Sequence, residues 1–506
     1  MKKKDSAIIR KREAEVADRL SPSWNGQDPK PVLSPEGITY EVSEKIGAVS
    51  YGGLGLLQQV VKWSGLGKAI DQGVKLLKRH QPYHESDHVL SLIYNVATGG
   101  TRYQDIEMRR QSVSFLEAVG AEKIPAPSTA GDFVRRFEAS DVVDLMEAVN
   151  ASRRKVWAQQ PESFFQRAEI DVDGTIAPTT GECKEGMDIS YDGQWGYAPL
   201  IVTLAQTGEV LYAVNRSGNR PSHEGAADWL DRSIERVREA GFRKVRLRGD
   251  TDFSLTAHFD RWTESGVEFD FGIDAHPSFV KSAEALPETS WKELVRPSQG
   301  KGKGKKRRER RGKVKPEIVK TREFKTLTLE REEIAEIDYR PSKAKRTYRM
   351  VILRKTILVE KGQKRLLPQR RYHFYVTNIP TAELGTAGVV RENNRRCNQE
   401  NVIEQLKNGV EALRMPSDTL VANWAYLVIA AQAWNLKAWM GLVLPARLQA
   451  RQLVKMEYRR FLREVIEMPC QILRTGRRLV YRLLDVNAWS RLLLEGSRWL
   501  KRRPAT

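Results

Sequence analysis

The spacing of apolar residues changes character twice along the chain. From about residue 52 to 157 it is helical. In ESDHVLSLIYNVATGG, Val89, Leu92, Ile93 and Val96 recur at i, i+3, i+4 and i+7, lining one helix face, and Gly99-Gly100 is a natural stop. In PSTAGDFVRRFEA, Ser128 is the expected N-cap of a basic helix carrying Arg135 and Arg136. Shorter apolar runs then take over. RAEIDVDGT (167–175), APLIVTLAQ (198–206) and EVLYAVNR (209–216) predict strands, the last two joined by a tight turn at Thr207-Gly208. A helix over 223–241, ended by Gly241, precedes a strand through Leu247 and another in GVEFDFGID (266–274). Strand, hairpin, helix, strand and strand predict a mixed α/β sheet.

Beyond 275 the pattern breaks. REFKTLTL, RTYRMVILRKTIL and QRRYHFYVTNIP are strand-like, and a helical pattern runs from 386 to the end. The expected divisions are a basic arm and linker (1–50), a helical DNA-binding domain (51–160) and an α/β core in two parts (161–275 and 371–440). A β-rich insertion (276–370) separates those parts, and a basic helical region for DNA binding or dimerisation (441–506) closes the chain.

Charge sharpens this picture. The chain of 506 residues carries a net charge of +21. That excess calls for a polyanionic partner, because each neutralised phosphate releases condensed counterions. KGKGKKRRERRGKVK (301–315) has ten basic residues and one acid, and is expected to form a mobile loop gripping DNA backbone through Lys305, Lys306, Arg307 and Arg308. Residues 441–506 carry 15 Lys and Arg against five acids, interleaved with Trp489 and Trp499. No apolar run is long enough to span a bilayer, and the start MKKKDSAIIRKREAEVADRL lacks the apolar segment of a signal peptide, so a cytoplasmic location is expected. Cys183, Cys397 and Cys470 show no paired spacing, which suits a reducing compartment. His80, His84 and His88 stand at helical intervals, but Pro82 interrupts them, and a junction role is favoured over metal binding.

The chemistry sits at strand tips. Side chains alternate along a strand, so Asp171 and Asp173 share a side with Glu169, opposite Ile170 and Val172. RGDTDF repeats the motif with Asp250 and Asp252. A metal site, a general base and a solvated strand end are all open readings. A pair of Mg²⁺ ions needs hard oxygen ligands from several elements, so a third acid is wanted. In ENNRRCNQENVIEQLKNGV, Arg396, Glu400 and Lys407 fall on one stripe of a helix, a carboxylate flanked by two cations. Ordinary surface pairing at i, i+4 would look the same.

Taken in order, DVDGT, GNRPSHEGAADWL, RGDTDF, YVTNIP and NNRRCNQENVIEQLK resemble the blocks of DDE transposases of bacterial insertion sequences. The closer similarity is to the group with a Tyr-x2-Arg-x3-Glu-x6-Lys signature and an RNase H-like core interrupted by a strand-rich insertion. The resemblance covers roughly residues 50–440, and Asn393 stands where that group has tyrosine. It implies an RNase H-like mixed-sheet catalytic core with helical N- and C-terminal regions. It implies Asp173, Asp250 and Glu400 as catalytic metal ligands for two Mg²⁺ (or Mn²⁺) ions per site, with Asp171 and Asp252 as next choices. Arg396 and Lys407 are implied as phosphate-positioning residues, and Asn393 lies near the DNA backbone. It further implies cut-and-paste transposition, through a hairpin on the element end, by a homodimer pairing two ends of double-stranded DNA. Trp291 is a candidate to stack on a flipped base; a core role is the plain alternative. Arg135 and Arg136 are candidate contacts to terminal inverted repeats. Two rivals are a transposase-derived DNA-binding protein without catalysis and a metal nuclease that cuts without joining. No GxSxG elbow or GxxxxGK[ST] loop is present, so serine-hydrolase and nucleotide-hydrolysing chemistry find no support.

Overall fold

Alternation within RAEIDVDG puts Ala168, Ile170 and Val172 on one face of a strand, β1 (Arg167–Gly174), and all three are wholly buried in the computed structural model. The structure describes residues 3–20, 38–40, 46–80, 82–181, 183–295, 325–361, 364–365, 368–475 and 478–503. The basic run 301–315, with Lys305, Lys306, Arg307 and Arg308, lies outside them.

β1 pairs antiparallel with β2 (Leu200–Leu204), which turns back into β3 (Glu209–Val214) through Gly208, whose φ of +66° suits a residue without a Cβ. On its other side β1 runs parallel to β4 (Lys244–Gly249), and β4 runs parallel to β5 (Val267–Ile273). The order β3-β2-β1-β4-β5, with β2 alone reversed, is the RNase H-like arrangement. The strand-rich insertion continues the same sheet. β6 (Lys292–Glu293), β7 (Lys325–Tyr339), β8 (Tyr348–Lys361) and β9 (Gln369–Thr377) are added antiparallel beyond β5, so that β9 covers what would be the edge of the core.

The N-terminal unit is helical as its periodicity predicts, including α2 (Leu54–Ser64), α3 (Glu85–Ala97) and α4 (Ala139–Trp157), and the basic arm ahead of it also forms a helix, α1 (Lys3–Arg19). The basic helix starts earlier than Ser128: Pro127 takes its first position, where a missing N–H costs nothing, and Arg135 falls at its C-terminal end. α5 (Ala226–Glu239) buries Ala226, Leu230, Ile234 and Val237 at four- and three-residue steps against the sheet. The second part of the core supplies α6 (Thr386–Arg395), α7 (Cys397–Asn408) and α8 (Leu420–Val443).

α8 is buried from Ala422 to Val443 and packs against α2, α3 and α4 on one side and β3 on another. Its polar residues seal the exposed edge of β3. Asn435 accepts from the Val210 N–H at 2.8 Å and donates to the Val210 carbonyl at 3.1 Å, while Trp424 and Trp434 donate to the carbonyls of Ala213 and Gly208. No helix among the described residues is long and apolar enough to cross a membrane. One continuous apolar core runs from Leu54 to Leu500, so the N-terminal helices and the sheet share an interior.

The C-terminal region departs from the helical expectation. CQILRT and RLVYRL form a hairpin, β10 (Cys470–Thr475) and β11 (Arg478–Leu483), whose first strand pairs with the short strand Gly47–Val49. Cys470, Ile472 and the half-buried Leu479, Tyr481 and Leu483 cover a small apolar cluster, while Arg478, Val480 and Arg482 alternate with them on the outward side. Residues 47–53 and 465–483 thus meet. Gly53 is required there, since a Cβ would lie 2.1 Å from the Val465 carbonyl oxygen. The final helix, α9 (Ser490–Lys501), rests on α2.

Candidate active site

The register of the two central parallel strands builds the site. Asp171 lies beside Arg248 in the ladder, so two residues further on Asp173 and Asp250 emerge from neighbouring strand ends. Asp250 directly follows β4, and its carboxylate accepts the Asp252 N–H at 3.1 Å, capping a single 3₁₀ turn. Asp252 itself is exposed.

Helix α7 brings the third acid. Gln399 fastens its first turn to β2, donating to the Ile201 carbonyl at 3.0 Å and accepting the Thr203 hydroxyl, while Val402 and Leu406 enter the core. The next residue, Glu400, is thereby held out over the strand ends with its side chain 61% exposed. α6 and α7 meet at Arg396, so the stripe inferred from spacing spans a helix junction. Arg396 still reaches both acids: Nη1 lies 3.1 Å from Asp173 Oδ2 and Nη2 lies 3.5 Å from Glu400 Oε1. Its buried Nε has no hydrogen-bond partner. Lys407 is half-buried further along α7, with no ion pair among the described residues.

The electrostatics of this cluster are those of crowded anions. Burial, and after it the charge of Asp250, push the Asp173 carboxyl up to about 7 against the pull of Arg396, and Glu400 adds a smaller push in the same direction. Burial also raises Asp250, with Arg396 opposing it and Asp252 adding to it. Three carboxyl groups have one guanidinium near them, so ionising all three leaves an excess of negative charge. That donor set, hard oxygens with excess negative charge at a rim open to solvent, fits a divalent cation. The oxygens do not form a tight cage in this structure. The one group of His, Cys, Asp or Glu among the described residues with ligand atoms all within 4.8 Å is His80, His84 and Glu85.

The remaining candidates are placed less favourably. Asp171 is 1% exposed and held by Arg248 through two bonds of 2.7 and 2.9 Å; Arg248 also lies 3.5 Å from Glu169 and from Glu392. Asp171 therefore serves the interior. A cavity of about 320 Å³ beneath α7 is lined by Asp171, Arg248, Gln206, Asn398, Gln399 and Trp434, but not by Asp173, Asp250 or Glu400. Asn393 sits at 3.5 Å from Asp270 Oδ1, a wholly buried carboxylate whose Oδ2 has no partner. Trp291 is 8% exposed, with the Arg354 guanidinium 4.1 Å above its ring, the setting of a core tryptophan. Arg135 is paired with Asp418 at 2.8 Å and Asp132 at 3.2 Å, whereas Arg136 is exposed. Gln399 and Arg248 were missed from sequence. The signal for Arg248 was its place two residues before Asp250, matching Asp171 before Asp173.

The chain belongs to the family described as Transposase DDE domain group 1, whose sequence model matches residues 45–505. The family works with divalent metal ions on DNA. Among solved structures, a piggyBac transposase synaptic complex with hairpin DNA, determined by cryo-EM, is similar at 10% identity and a TM-score of 0.35, over 89% of this chain and 85% of that one. At that similarity nothing specific transfers from one chain to the other. No curated protein matches the sequence.

Proposed function

We propose that this protein is the transposase of a bacterial insertion sequence, cutting the element's ends and joining them to target DNA by one active site made of Asp173, Asp250 and Glu400. The observation that carries this reading is Arg396 held between Asp173 and Glu400, with Asp250 on the neighbouring strand end raising the Asp173 carboxyl, at the open ends of β1 and β4. Bound there, Mg²⁺ or Mn²⁺, as a pair, supplies activation of water or a 3′-hydroxyl for in-line attack and stabilisation of the leaving oxygen.

The chain's own groups do the rest. Asp173 and Asp250, fixed by strand register, set the floor of the site, and Glu400 closes it from the helix. Arg396, already between two carboxylates, is placed to turn its guanidinium toward a phosphate and offset charge developing on it. Lys407, further along α7, extends that positive edge along a DNA backbone. The net charge of +21 supports association with duplex DNA through phosphates, with base contacts left to specify the ends. The cut-and-paste route through a hairpin, and a homodimer holding two ends, belong to the same reading.

The test is a strand-cleavage and joining assay. Linear DNA carrying the element's terminal inverted repeats is incubated with the protein and Mg²⁺ or with chelator, and a pre-cut end is offered with a target plasmid. Metal-dependent nicking at the repeat boundary and joined product are expected. Cleavage without any joining of the pre-cut end would support the nuclease reading, and DNA binding without cleavage the non-catalytic one.

A further inference from the structure

A second cluster lies in the N-terminal helical unit, away from the carboxylates, and the proposed function makes no use of it. His80, His84 and His88 stand at helical intervals, yet α3 begins only at Glu85, beyond Pro82. His88 goes inward and stacks on Phe133 at 4.3 Å. His80 and His84 stay outside with their rings stacked, centroids 4.8 Å apart and planes 8° from parallel.

Glu85 completes the group. It is 1% exposed, and its two oxygens have different duties. Oε1 accepts the N–H groups of Leu76 and Leu77 at 3.1 and 3.0 Å, and Oε2 faces His80 Nε2 at 3.2 Å. One donor atom from each of the three residues lies within 4.8 Å of the others.

We infer that His80, His84 and Glu85 form a binding site for a single transition-metal dication of the Zn²⁺ class. Two imidazole nitrogens and one carboxylate oxygen are a zinc donor set, and they are poor ligands for Mg²⁺, which prefers oxygens throughout. With metal–ligand bonds of about 2.0–2.2 Å, the edges of a tetrahedral site measure roughly 3.3–3.5 Å. The His80–Glu85 pair already stands near that spacing, and His84, on the surface, needs only a side-chain rotation to close the site. The fourth position opens to solvent. The positive end of α3 opposes a cation here, and the carboxylates of Glu85 and Asp87 in its first turn offset it. Because Glu85 also holds the backbone of Leu76 and Leu77, the ion acts as a clasp. It ties the connection carrying the exposed Lys75, Lys78 and Arg79 to the start of α3 and fixes how those cations are presented.

The experiment uses full-length protein free of any histidine tag, stripped with chelator, in an Asp173→Asn/Glu400→Gln background that disables the other acids. Co²⁺ alone is titrated and followed by its visible absorption, then Zn²⁺ or Mg²⁺ is added. One equivalent of Co²⁺ is expected to give a band that Zn²⁺ displaces and excess Mg²⁺ does not, and Zn²⁺ is expected to raise the melting temperature by several degrees. His80→Ala and His84→Ala should each abolish both the band and the Zn²⁺-dependent rise, measured against each variant's own metal-free melting temperature, since His80 also touches Glu85 and His84 also caps α3. Absence of the band, or a band that survives in both variants, overturns the inference.

Discussion

Arg396 lies 3.1 Å from Asp173, a residue 223 positions earlier in the chain, and its other terminal nitrogen lies 3.5 Å from Glu400. One cation therefore bridges an acid from the first part of the core to an acid from the second, across the whole strand-rich insertion. This bridge holds two of the three carboxylates near each other before any metal arrives.

A first prediction concerns that cation. Replacing Arg396 with Ala removes the charge facing the phosphate but no metal ligand. Cleavage should slow by about 10²–10³-fold, the scale for losing one preorganised group that stabilises developing charge. Divalent-ion affinity should hold or tighten, since a competing positive charge has gone. Single-turnover cleavage across a Mg²⁺ series separates the two effects, and a variant rescued fully by more Mg²⁺ would place Arg396 among the metal-binding determinants instead.

Asp171 and Asp173 look alike in sequence and should behave differently. Breaking the buried Asp171–Arg248 pair from one side leaves an uncompensated charge, so Asp171→Asn should cost roughly 3–5 kcal/mol of stability. Replacing both partners, as Leu and Met, should cost less than the sum of the single changes. Denaturant melts measure both. A stable Asp171→Asn protein with lost cleavage would return Asp171 to the catalytic group.

Legibility in the sequence followed the range of the interaction. The strands, the helical N-terminal unit and the acid-bearing strand tips depend on local alternation and turn residues, and the structure follows those patterns in β1 to β5. The pairing of Asp171 with Arg248 depends on the parallel register of strands 77 residues apart, which no local pattern specifies. The β10–β11 hairpin escaped because its alternation is imperfect: Val480 faces outward between Arg478 and Arg482, and Arg474 falls on the side of Cys470 and Ile472. The burial of Trp291 under Arg354 needed the insertion to continue the core sheet, and composition carries no trace of that.

The union of the N-terminal helices with the core rests on Glu209, wholly buried in β3. Its Oε1 accepts from Arg153 at 3.1 Å and from the Trp439 indole at 2.8 Å, and its Oε2 accepts from the Trp157 indole at 2.9 Å. Glu209→Ala leaves a buried guanidinium without its counter-charge, though still bonded to Asn150 and the Val210 carbonyl, and two indole N–H groups without that acceptor, and should cost roughly 3–5 kcal/mol. Calorimetry should still show α4 and the sheet melting together, because their apolar core is continuous. Two resolved transitions in the wild-type protein would contradict this coupling.

Asp270 gives a pH signature. Burial raises its carboxyl to about 7, against the bond from Asn393 and the charges of Arg246 and Arg248. Above its ordinary value of about 3.9, the unfolded chain has released this proton while the folded one retains it. The stability it contributes is therefore complete below about pH 4 and is lost as pH rises through 7. Asp270→Asn keeps the neutral shape at every pH. Its advantage over wild type should grow by roughly 3 kcal/mol between pH 5 and 8 and then level off. Urea midpoints at a series of pH values report this, and a constant difference would mean that Asp270 is ionised throughout.

The central claim is that Asp173, Asp250 and Glu400 work as one site on DNA. Its most direct measurement is Mg²⁺-dependent cleavage of end-bearing DNA by Asp173→Ala, Asp250→Ala and Glu400→Ala, each checked for retained DNA binding by gel shift. All three are predicted to bind the ends and to cleave at least about 10³-fold more slowly than wild type, as expected when one member of a group acting as a unit is lost. A variant that cuts at near the wild-type rate would contradict the account.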